Sequence, residues 1–372
     1  MLDNVGLYVH IPFCKQKCIY CAFCSFCTDE KKISQYFQKL KEEIVSHKEE
    51  MEGKVVSSIF IGGGTPSYVD AKYISDLLKL IKRTYKVQKN AEISIEGNPD
   101  SITLEKAKIW KKCGINRVSV GLQSINDETL KLLNRPHNYN DYLNAISYLK
   151  QAGFTNINTD ILLGLVNQTE QEIKKTIKEL SDLNLTHISA YGLMIEDKTP
   201  LKQMVEDGKI VPVTEERAVM LYNTAHKELE KYGYNRYEIS NFAKTSYECK
   251  HNLNYWNRGE FLGVGLAAYS FLNGTHFENT NNLKEYISKP YKKCCVEPET
   301  EKTAQEEFIM LALRLEKGLD INEFNKKFDD DFMKKFEKQI KKLQENNLIK
   351  IENNHLIIKN FEVSNMIISE FF

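Results

Sequence analysis

The stretch Gly6-Leu-Tyr-Val-His-Ile11, followed by Pro12, Phe13 and a run of cysteines, decides the fold of this chain. Its β-branched and aromatic residues favour a buried strand, and Pro12 ends that strand because proline cannot donate a hydrogen bond to a neighbouring strand. The cysteines stand at positions 14, 18, 21, 24 and 27. They therefore lie on a loop at the carboxyl end of a strand, where open α/β sheets and barrels place their functional groups.

Two spacings within this loop would each supply ligands for an iron–sulfur cluster. Cys14, Cys18 and Cys21 form a C-x3-C-x2-C set, and three thiolates on a [4Fe–4S] cluster leave one iron open for a substrate. Cys18, Cys21, Cys24 and Cys27 form a C-x2-C-x2-C-x2-C set that is close to the bacterial ferredoxin pattern. The second set leaves out Cys14 and lacks the wider last gap and the proline of that pattern.

Two other uses of the cysteines are less consistent with the sequence. Four thiolates in a tight loop can hold zinc, but the paired C-x2-C units of zinc ribbons usually lie far apart. A disulfide framework is typical of small secreted chains, whereas this chain has 372 residues, nine cysteines and no signal-peptide pattern. The spacing therefore favours an iron–sulfur cluster.

Composition limits the class of partner. Fifty-one basic residues balance fifty-one acidic ones and the pI is near 7.1, so we expect no nucleic-acid partner. The longest apolar run, residues 261–272, is too short and too rich in glycine to cross a bilayer. We expect a folded protein of a reducing, cytoplasmic compartment, since 42% of the residues are hydrophobic and the N-terminus has no targeting pattern.

Strand and helix patterns alternate along the first two thirds of the chain. After the first strand, strands are predicted at residues 55–61, 92–96, 117–122, 156–163 and 187–193, and helical patterns separate them. Such alternation predicts a parallel sheet with right-handed crossovers. The second strand ends in Gly62-Gly-Gly-Thr-Pro66, a segment in which glycines would allow a close approach of the backbone to a ligand.

The last third of the chain has a different organisation. Residues 241–298 contain the stretch Lys250-His-Asn-Leu-Asn-Tyr-Trp256, a glycine-rich segment and a Lys/Cys/Glu segment between Pro290 and Pro298 that we interpret as a linker. Residues 299–372 predict helices followed by a hairpin that turns at Asn353-Asn354. This order is typical of a small winged-helix-like α+β domain, although no basic recognition helix is present in the sequence.

These residues carry a resemblance to a known family. The C-x3-C-x2-C set, Tyr20 before its last cysteine and the glycine segment at 62–66 resemble the radical S-adenosylmethionine (SAM) enzymes. Within that superfamily, Tyr8-Val-His-Ile-Pro-Phe-Cys14 resembles the coproporphyrinogen oxidase-like family, which includes anaerobic coproporphyrinogen III dehydrogenases and haem chaperones. The resemblance covers nearly the whole chain. It implies an α/β fold with a partial (β/α)6 radical SAM barrel over residues 1–240, an extension over 241–298 and a C-terminal domain over 299–372.

The resemblance also implies the cofactors and where they bind. A [4Fe–4S] cluster would use Cys14, Cys18 and Cys21 as ligands, and SAM would bind at the open iron and around the strand ends. The residues expected to bind SAM are Tyr8, Phe23, Gly62, Gly63, Gly64, Thr65, Glu96, Gln123, Arg135 and Asp160. One departure from the family pattern is Val166-Asn167, where relatives usually carry Pro-Gly. It affects the expected shape of that loop but not Asp160.

Two features favour the haem-chaperone branch. Phe23 stands where the dehydrogenases carry a fourth cysteine, although Cys24 and Cys27 lie near enough in sequence to replace that thiol. His251-Asn-x-x-Tyr255-Trp256 resembles the H-N-x-x-Y-W motif of the chaperones, in which an imidazole and aromatic rings suit an axial ligand and a stacking surface for haem. From the residues alone, a hydrogen-bonded structural role for His251 and a core position for Trp256 are favoured, and the resemblance is what favours haem binding in this region. His10 stays open between a structural neighbour of the cluster and a second haem ligand.

We therefore expect a haem chaperone with haem as its cargo, a haem-accepting protein as its partner and an electron donor such as flavodoxin or ferredoxin. A homodimer and a peripheral contact with a membrane-bound acceptor stay open. Whether the chain is an enzyme also stays open, since any catalysis would be SAM cleavage or oxidative decarboxylation of coproporphyrinogen III. That oxygen-independent oxidase activity is the first alternative. A ferredoxin-like electron carrier that uses the second cysteine set is an alternative of another class.

Overall fold

The structure, a computed structural model, describes residues 3–289 and 292–372. Its first six strands lie side by side in chain order, and every neighbouring pair among them is parallel. These strands are β1 (Asp3–Ile11), β2 (Lys54–Gly63), β3 (Val87–Gly97), β4 (Arg117–Gln123), β5 (Asn156–Leu163) and β6 (His187–Gly192). The predicted partial (β/α)6 barrel is therefore confirmed.

Helices connect the strands and pack on the outer face of the barrel. They are α1 (Glu30–Ser46), α2 (Ala71–Thr84), α3 (Leu104–Cys113), α4 (Asp127–Leu132), α5 (Tyr139–Gln151), α6 (Glu170–Asp182), α7 (Pro200–Glu206) and α8 (Glu215–Lys231). A 3-10 turn, Pro99–Ser101, precedes α3. Side-chain caps such as Asp29 and Thr103 start these helices, and Gly114 ends α3 in the left-handed conformation.

The strands divide their side chains between two environments. In β1, Val5, Leu7 and Val9 belong to the large apolar core that the helices cover. The alternate residues, Tyr8 and His10, point into the barrel because successive side chains of a strand face opposite sides. The other strands repeat this arrangement, so the interior of the barrel is polar while its outer face is apolar.

The extension after the barrel belongs to the same sheet. It contributes β7 (Asn235–Arg236), β8 (Asn241–Ala243), α9 (Lys250–Trp256), β9 (Phe261–Val264), β10 (Tyr269–Leu272), β11 (Thr275–Asn279), α10 (Leu283–Ser288) and β12 (Lys293–Pro298). β8 pairs with β6 at one edge of the barrel, and β9 pairs in parallel with β1 at the other. The described strands of the extension and the barrel together form one twelve-stranded sheet.

The segment that we interpreted as a linker is an edge strand. β12 pairs antiparallel with β11. The pairing includes a register shift between His276 and Glu278 and continues on both sides of it. The linker interpretation is therefore wrong for residues 293–298, because backbone pairing with β11 holds this polar segment in place. Pro290, which we took as the start of that linker, lies outside the described residues.

The C-terminal domain has a core of its own. It contains α11 (Glu301–Ala312), β13 (Leu319–Asp320), α12 (Ile321–Phe328), α13 (Phe332–Lys335), α14 (Glu337–Glu345), β14 (Ile349–Glu352), β15 (His355–Ile358), a 3-10 turn (Phe361–Val363) and α15 (Ser364–Ser369). Asn353 and Asn354 both adopt the left-handed conformation, with φ of 49° and 64°, and close the predicted hairpin. Phe324, Phe332 and Phe336 lie at the centre of this second apolar core.

A helix must be long and apolar to cross a bilayer. In residues 3–289 and 292–372, no helix has both properties.

A buried carboxyl group joins α1 to the extension. Glu43 is fully buried and accepts hydrogen bonds from Gly265 N, at 2.9 Å, from Asn279 Nδ2 and from Tyr286 Oη. Burial raises the pKa of Glu43 to about 7, although its three donors act in the opposite direction. Glu43 thus ties the barrel to β9, β11 and α10, but its charged form is disfavoured in the folded state.

We predict that Glu43→Gln reduces the dependence of stability on pH. Because the folded pKa lies above the ordinary value of 4.5, the folded state holds this proton after the unfolded state has lost it. Stability therefore falls as the pH rises from about 4.5 to about 7, and the loss persists above that range. Between pH 5 and pH 8, the variant should lose about 2 kcal/mol less unfolding free energy than the parent in urea titrations. An equal loss in both proteins would contradict this, and exposed Glu49→Gln is the matched control.

Candidate functional site

The cysteine loop closes on itself directly after β1. Phe26 N donates to Pro12 O at 2.7 Å, and Cys14 N donates to Phe26 O at 3.0 Å, so the loop returns to its starting point. Farther along, Ile19 N donates to Leu133 O at 3.2 Å and fastens the loop to the segment after α4. Backbone hydrogen bonds thus hold the cysteines at the carboxyl end of β1.

The five thiols of the loop separate into two groups. Burial raises the pKa of the Cys14 and Cys21 thiols, and electrostatic coupling with the neighbouring thiols of the C-x3-C-x2-C set raises both further. The remaining two thiols contact backbone carbonyl groups. Cys24 Sγ lies 3.8 Å from Asn281 O, and Cys27 Sγ lies 3.5 Å from Lys15 O. The structure therefore gathers the three cysteines of the first set and leaves out the last two of the second.

The spread of the sulfur atoms distinguishes a cluster from a single ion. A zinc ion bound at about 2.3 Å by thiolates requires sulfurs about 4 Å apart. Among the described residues, the one group with three ligand atoms within 4.8 Å of one another is His276, Glu299 and Glu307, far from the loop in sequence. Arg258 already pairs with both carboxylates of that group. The cysteine sulfurs are too widely spread for one ion, which fits a cluster whose thiolates bind different iron atoms.

Arg135 and Thr65 contact the cysteine sulfurs directly. Arg135 Nη1 donates to Cys18 Sγ at 3.3 Å, while its Nη2 donates to Asn98 Oδ1 at 2.6 Å and to Gly121 O at 2.7 Å. Thr65 Oγ1 donates to Cys14 Sγ at 3.4 Å. A positive charge and a hydroxyl donor beside the sulfurs stabilise thiolate ligands. Both residues were expected to bind SAM, and the structure places them against the cysteines.

The three glycines at the end of β2, Gly62 to Gly64, lie where side chains would collide with the site. A Cβ on Gly64 would lie 2.9 Å from Phe13 N and 3.0 Å from Cys14 Sγ, and one on Gly62 would lie 2.9 Å from Glu96 Oε2. Gly63 has a φ of 115°, which favours glycine, and its N–H donates to Glu96 Oε2 at 3.1 Å. The glycine segment thus lies between the cysteine loop and the Glu96 carboxyl.

Two buried carboxyl groups face each other across the inside of the barrel. Burial, and then the Asp160 carboxylate, raise the pKa of Glu96 to about 8. Burial also raises the pKa of Asp160, although Asn158 Nδ2 donates to it at 2.7 Å and Ser119 Oγ at 3.2 Å. The nearby Arg117 guanidinium acts to lower both pKa values, but it offsets only part of the rise that burial causes. A cation bound between the two groups would oppose both rises and stabilise the ionised carboxylates.

The remaining polar residues of the rim adopt specific geometries. Gln123 ends β4 with a φ of 71° next to an irregularity in the pairing with β5. Tyr8 Oη lies 3.0 Å from His10 Nδ1, and His10 Nε2 lies 2.9 Å from Cys24 O. Because a carbonyl oxygen only accepts, Nε2 carries the proton and Nδ1 accepts from the Tyr8 hydroxyl. His10 thus has a structural role, since it fastens the loop after the third cysteine to β1.

Phe23 has its side chain in solvent. Its ring is 66% exposed, and only its carbonyl oxygen takes part in the loop, where it accepts from Lys17 Nζ at 3.2 Å. The exposed ring is accessible to a ligand at the surface of the loop. The role of Phe23 in SAM binding stays a prediction.

The expectation that His251 ligates haem iron needs correction. His251 is 1% exposed, and both ring nitrogens are hydrogen-bonded, Nδ1 to Ser58 Oγ at 2.9 Å and Nε2 to Tyr255 Oη at 2.8 Å. Neither nitrogen has a free lone pair for a metal. Ser58 lies five residues before the carboxyl end of β2. The imidazole is therefore about 15 Å from the carboxyl ends of the strands and lies towards the amino-terminal end of the barrel.

The two aromatic residues of the same motif also have structural contacts. The Tyr255 ring packs edge-on against His251 and Phe261, with ring centroids 4.7 and 4.6 Å apart. Trp256 lies under the guanidinium of Arg314 from the C-terminal domain, 5.9 Å from the ring centroid. They form no exposed stacking surface for haem. The motif instead closes the amino-terminal end of the barrel and joins it to the C-terminal domain.

Sequence reasoning missed two residues of this site. Asn98 accepts from Arg135, as described above, and its Nδ2 donates to Thr65 Oγ1 at 3.3 Å, so it connects the two residues that contact the sulfurs. Its place between Gly97 and Pro99 after a strand was the available signal. Arg117 begins β4 and is 2% exposed, and no pattern in the sequence marks it as a charge inside the barrel.

Val166-Asn167, which stands where relatives usually carry Pro-Gly, still forms a turn after β5. Asn167 adopts the left-handed conformation with a φ of 60°, which asparagine tolerates better than most residues. Gln168 Oε1 accepts from Gly164 N at 2.8 Å and from Leu165 N at 3.3 Å, and closes the loop after β5. Asp160 keeps its place on β5.

We predict that Gly64→Ala prevents assembly of an iron–sulfur cluster without unfolding the barrel. The new methyl group would lie 2.9 Å from Phe13 N, closer than real contacts, and 3.0 Å from Cys14 Sγ, so the loop must shift. After anaerobic reconstitution, the variant should retain little iron and sulfide while its far-ultraviolet circular dichroism stays unchanged. Gly192→Ala, at the end of β6 and with no atom within 4 Å, is the matched control. Full reconstitution of Gly64→Ala would refute this account of the glycine.

Comparisons with known proteins agree with this geometry. Residues 8–180 match the family model described as the Radical SAM superfamily, and residues 300–359 match that of the HemN C-terminal domain. In solved structures, coproporphyrinogen III oxidase (HemN) from Escherichia coli, described as a radical SAM enzyme, superposes with a TM-score of 0.87. That match covers 99% of this chain and 90% of the other at 24% identity, and it shows a shared fold.

Curated relatives narrow the family. A protein described as Heme chaperone HemW from Bacillus subtilis (strain 168) is 32% identical over 328 residues, which cover 86% of each chain. A protein with the same description from Haemophilus influenzae is 35% identical over 304 residues, which cover 78% of this chain and 77% of the relative. The predicted family is thereby confirmed. The chain belongs to the haem chaperone HemW family of the radical SAM superfamily.

Proposed function

We propose that this protein is a haem chaperone that holds a [4Fe–4S] cluster on Cys14, Cys18 and Cys21, binds SAM beside it, and passes haem to an acceptor protein. One observation carries the proposal: the Cys14, Cys18 and Cys21 thiols lie near enough at the strand ends that their coupling adds to the rise that burial causes in the pKa of Cys14 and Cys21. In addition, Phe23 stands where a fourth cysteine would mark the dehydrogenases, and Cys24 contacts Asn281 outside the loop. Relatives described as Heme chaperone HemW, similar over most of the chain, support it.

The residues present fit both cofactors. When bound, the cluster and SAM supply one-electron chemistry and cleavage of the sulfonium group. Arg135 and Thr65 would hold the cysteine sulfurs in place and stabilise their thiolate form. Gly62, Gly63 and Gly64 would let the methionine end of SAM approach the backbone.

The carboxyl groups of the rim suit a cationic ligand. SAM carries a sulfonium and an ammonium group, and either would stabilise the Asp160 carboxylate, which lies near enough to raise the pKa of Glu96 beyond the effect of burial. With a pKa of about 8, the Glu96 carboxyl holds a proton at neutral pH, so it is able to donate a hydrogen bond as well as accept one. On this basis we assign Glu96 and Asp160 to SAM binding. Gln123 and Tyr8 are polar residues of the same rim, and we assign them to the same cofactor.

One observation is consistent with the alternative function, coproporphyrinogen III oxidation. The fold superposes on coproporphyrinogen III oxidase over nearly the whole chain, although at an identity that supports the fold alone. Anaerobic incubation with coproporphyrinogen III, SAM and a flavodoxin or ferredoxin reducing system separates the two functions. We expect no decarboxylated product, and turnover would favour the oxidase.

We predict that serine substitutions separate the cluster ligands from the other thiols. Cys14→Ser, Cys18→Ser and Cys21→Ser should each lose the cluster, because each removes one of three ligands. Cys24→Ser and Cys27→Ser should keep it, since these sulfurs face the carbonyl oxygens of Asn281 and Lys15. Iron content and visible absorption after anaerobic reconstitution measure the result. Loss of the cluster in Cys24→Ser or Cys27→Ser with retention in Cys14→Ser would indicate the ferredoxin-like carrier instead.

We predict that the reconstituted protein binds haem saturably and stoichiometrically. A titration followed at the Soret band measures binding, and spectral transfer to a haem-free acceptor measures release. His251→Ala should weaken folding and not remove an iron ligand, because the imidazole holds Ser58 and Tyr255 towards the amino-terminal end of the barrel. The Soret maximum of the folded fraction should therefore equal that of the parent. Absence of saturable binding in the parent would remove the chaperone function.

A further inference from the structure

A chain of side-chain hydrogen bonds joins two of the predicted cluster ligands. Thr65 Oγ1 lies 3.4 Å from Cys14 Sγ and 3.3 Å from Asn98 Nδ2. Asn98 Oδ1 accepts from Arg135 Nη2 at 2.6 Å, and Arg135 Nη1 donates to Cys18 Sγ at 3.3 Å. The chain therefore runs from Cys14 through Thr65, Asn98 and Arg135 to Cys18, and Asn98 is its central member.

The chemistry of these groups fixes the direction of each hydrogen bond. A guanidinium group has only donors, so the Asn98 atom that contacts Arg135 is the carbonyl oxygen Oδ1. The amide nitrogen Nδ2 then donates to the hydroxyl oxygen of Thr65. Because an amide nitrogen cannot accept a hydrogen bond, the hydroxyl hydrogen of Thr65 stays available for Cys14 Sγ. The orientation of one amide thus directs a donor to each of the two sulfurs.

The backbone around Asn98 holds this amide in place. Asn98 N donates to Ser67 Oγ at 2.9 Å, and Ser101 Oγ donates to Asn98 O at 3.0 Å. Gly121 leaves room for the pair, since a Cβ there would lie 3.2 Å from Arg135 Nη2 and 3.5 Å from Asn98 Oδ1. Gly121 O also accepts from Arg135 Nη2 at 2.7 Å, so the guanidinium has a second acceptor. The contact between Asn98 and Arg135 therefore depends on the carboxyl ends of β3 and β4.

We propose that Asn98 is a positioning residue that raises the reduction potential of the cluster. Hydrogen bonds to the sulfurs and a nearby positive charge stabilise the reduced, more negative form of an iron–sulfur cluster, so they raise its potential. Asn98 acts through Thr65 and Arg135, the two residues that contact the sulfurs. This inference rests on the proposed function, because it requires a [4Fe–4S] cluster on the three gathered cysteines.

Asn98→Asp tests the direction of the amide and nearly preserves its shape. A carboxylate oxygen replaces the donor to Thr65, so the Thr65 hydroxyl turns to that charged acceptor and leaves Cys14 Sγ. The new negative charge also offsets the charge of Arg135. Both changes should lower the potential, by about tenfold in the reduction equilibrium or about 59 mV for one electron. The measurement is a dithionite titration of the reconstituted protein without SAM, followed by electron paramagnetic resonance.

Two further variants separate a positioning role from a general effect of charge. Asn98→Ala adds no charge and releases both neighbours, so it should lower the potential in the same direction by a smaller amount. Thr65→Val removes the hydroxyl and keeps the shape of the side chain. In the Thr65→Val background, Asn98→Asp should lower the potential by clearly less than in the parent, because no hydroxyl is left to turn. Asn346→Asp, which adds the same charge at an exposed position of the C-terminal domain, is the matched control and should behave as the parent.

The possible results distinguish the inference from the function on which it rests. Equal potentials in the parent, Asn98→Asp and Asn98→Ala would overturn the inference and leave the chaperone function intact. An equal shift from Asn98→Asp in both backgrounds would assign the effect to charge alone and would also overturn the positioning role. A parent protein that assembles no [4Fe–4S] cluster would instead contradict the proposed function.

Discussion

The contact between Gly64 and the start of the cysteine loop is the constraint on which the functional end of this protein depends. Gly64 N donates to Ile11 O at 2.9 Å and Thr65 N donates to Phe13 O at 2.8 Å, so the pairing of β1 and β2 continues past the ends of both strands. The absence of a side chain at Gly64 allows this approach. The cysteines are therefore placed by the backbone of the barrel, and their positions follow from the register of two strands.

Charge then determines what this end of the barrel can hold. Arg135 contacts Cys18 on one side, while burial and the Asp160 carboxylate raise the pKa of Glu96 on the lumen side. A cluster with thiolate ligands would lie beside a positive charge, and a cationic cofactor would lie beside Asp160. The buried Arg117 below them opposes only part of the rise in both carboxyl pKa values, so a cation bound there would stabilise the charged carboxylates further.

Much of this arrangement could be predicted from local sequence patterns, and the rest depends on contacts between distant residues. The alternation of strands and helices predicted the barrel because each element has its own period, and the spacing of Cys14, Cys18 and Cys21 predicted the set that the structure gathers. The pairing of β9 with β1 joins segments far apart in the chain. β12 pairs with β11, which is near it in the chain, but the polar composition of β12 suggested a linker. His251 shows the same limit, since a motif does not reveal which end of the barrel it occupies.

The most direct test of this account is the electron paramagnetic resonance spectrum of the reduced, reconstituted protein, recorded before and after SAM is added. Three cysteine ligands leave one iron open, and the Glu96 and Asp160 carboxyl groups favour a cation beside it. The account predicts the spectrum of a reduced [4Fe–4S] cluster whose g-values shift when SAM binds. A spectrum that SAM leaves unchanged, or one from a different type of cluster, would contradict the assignment of this site.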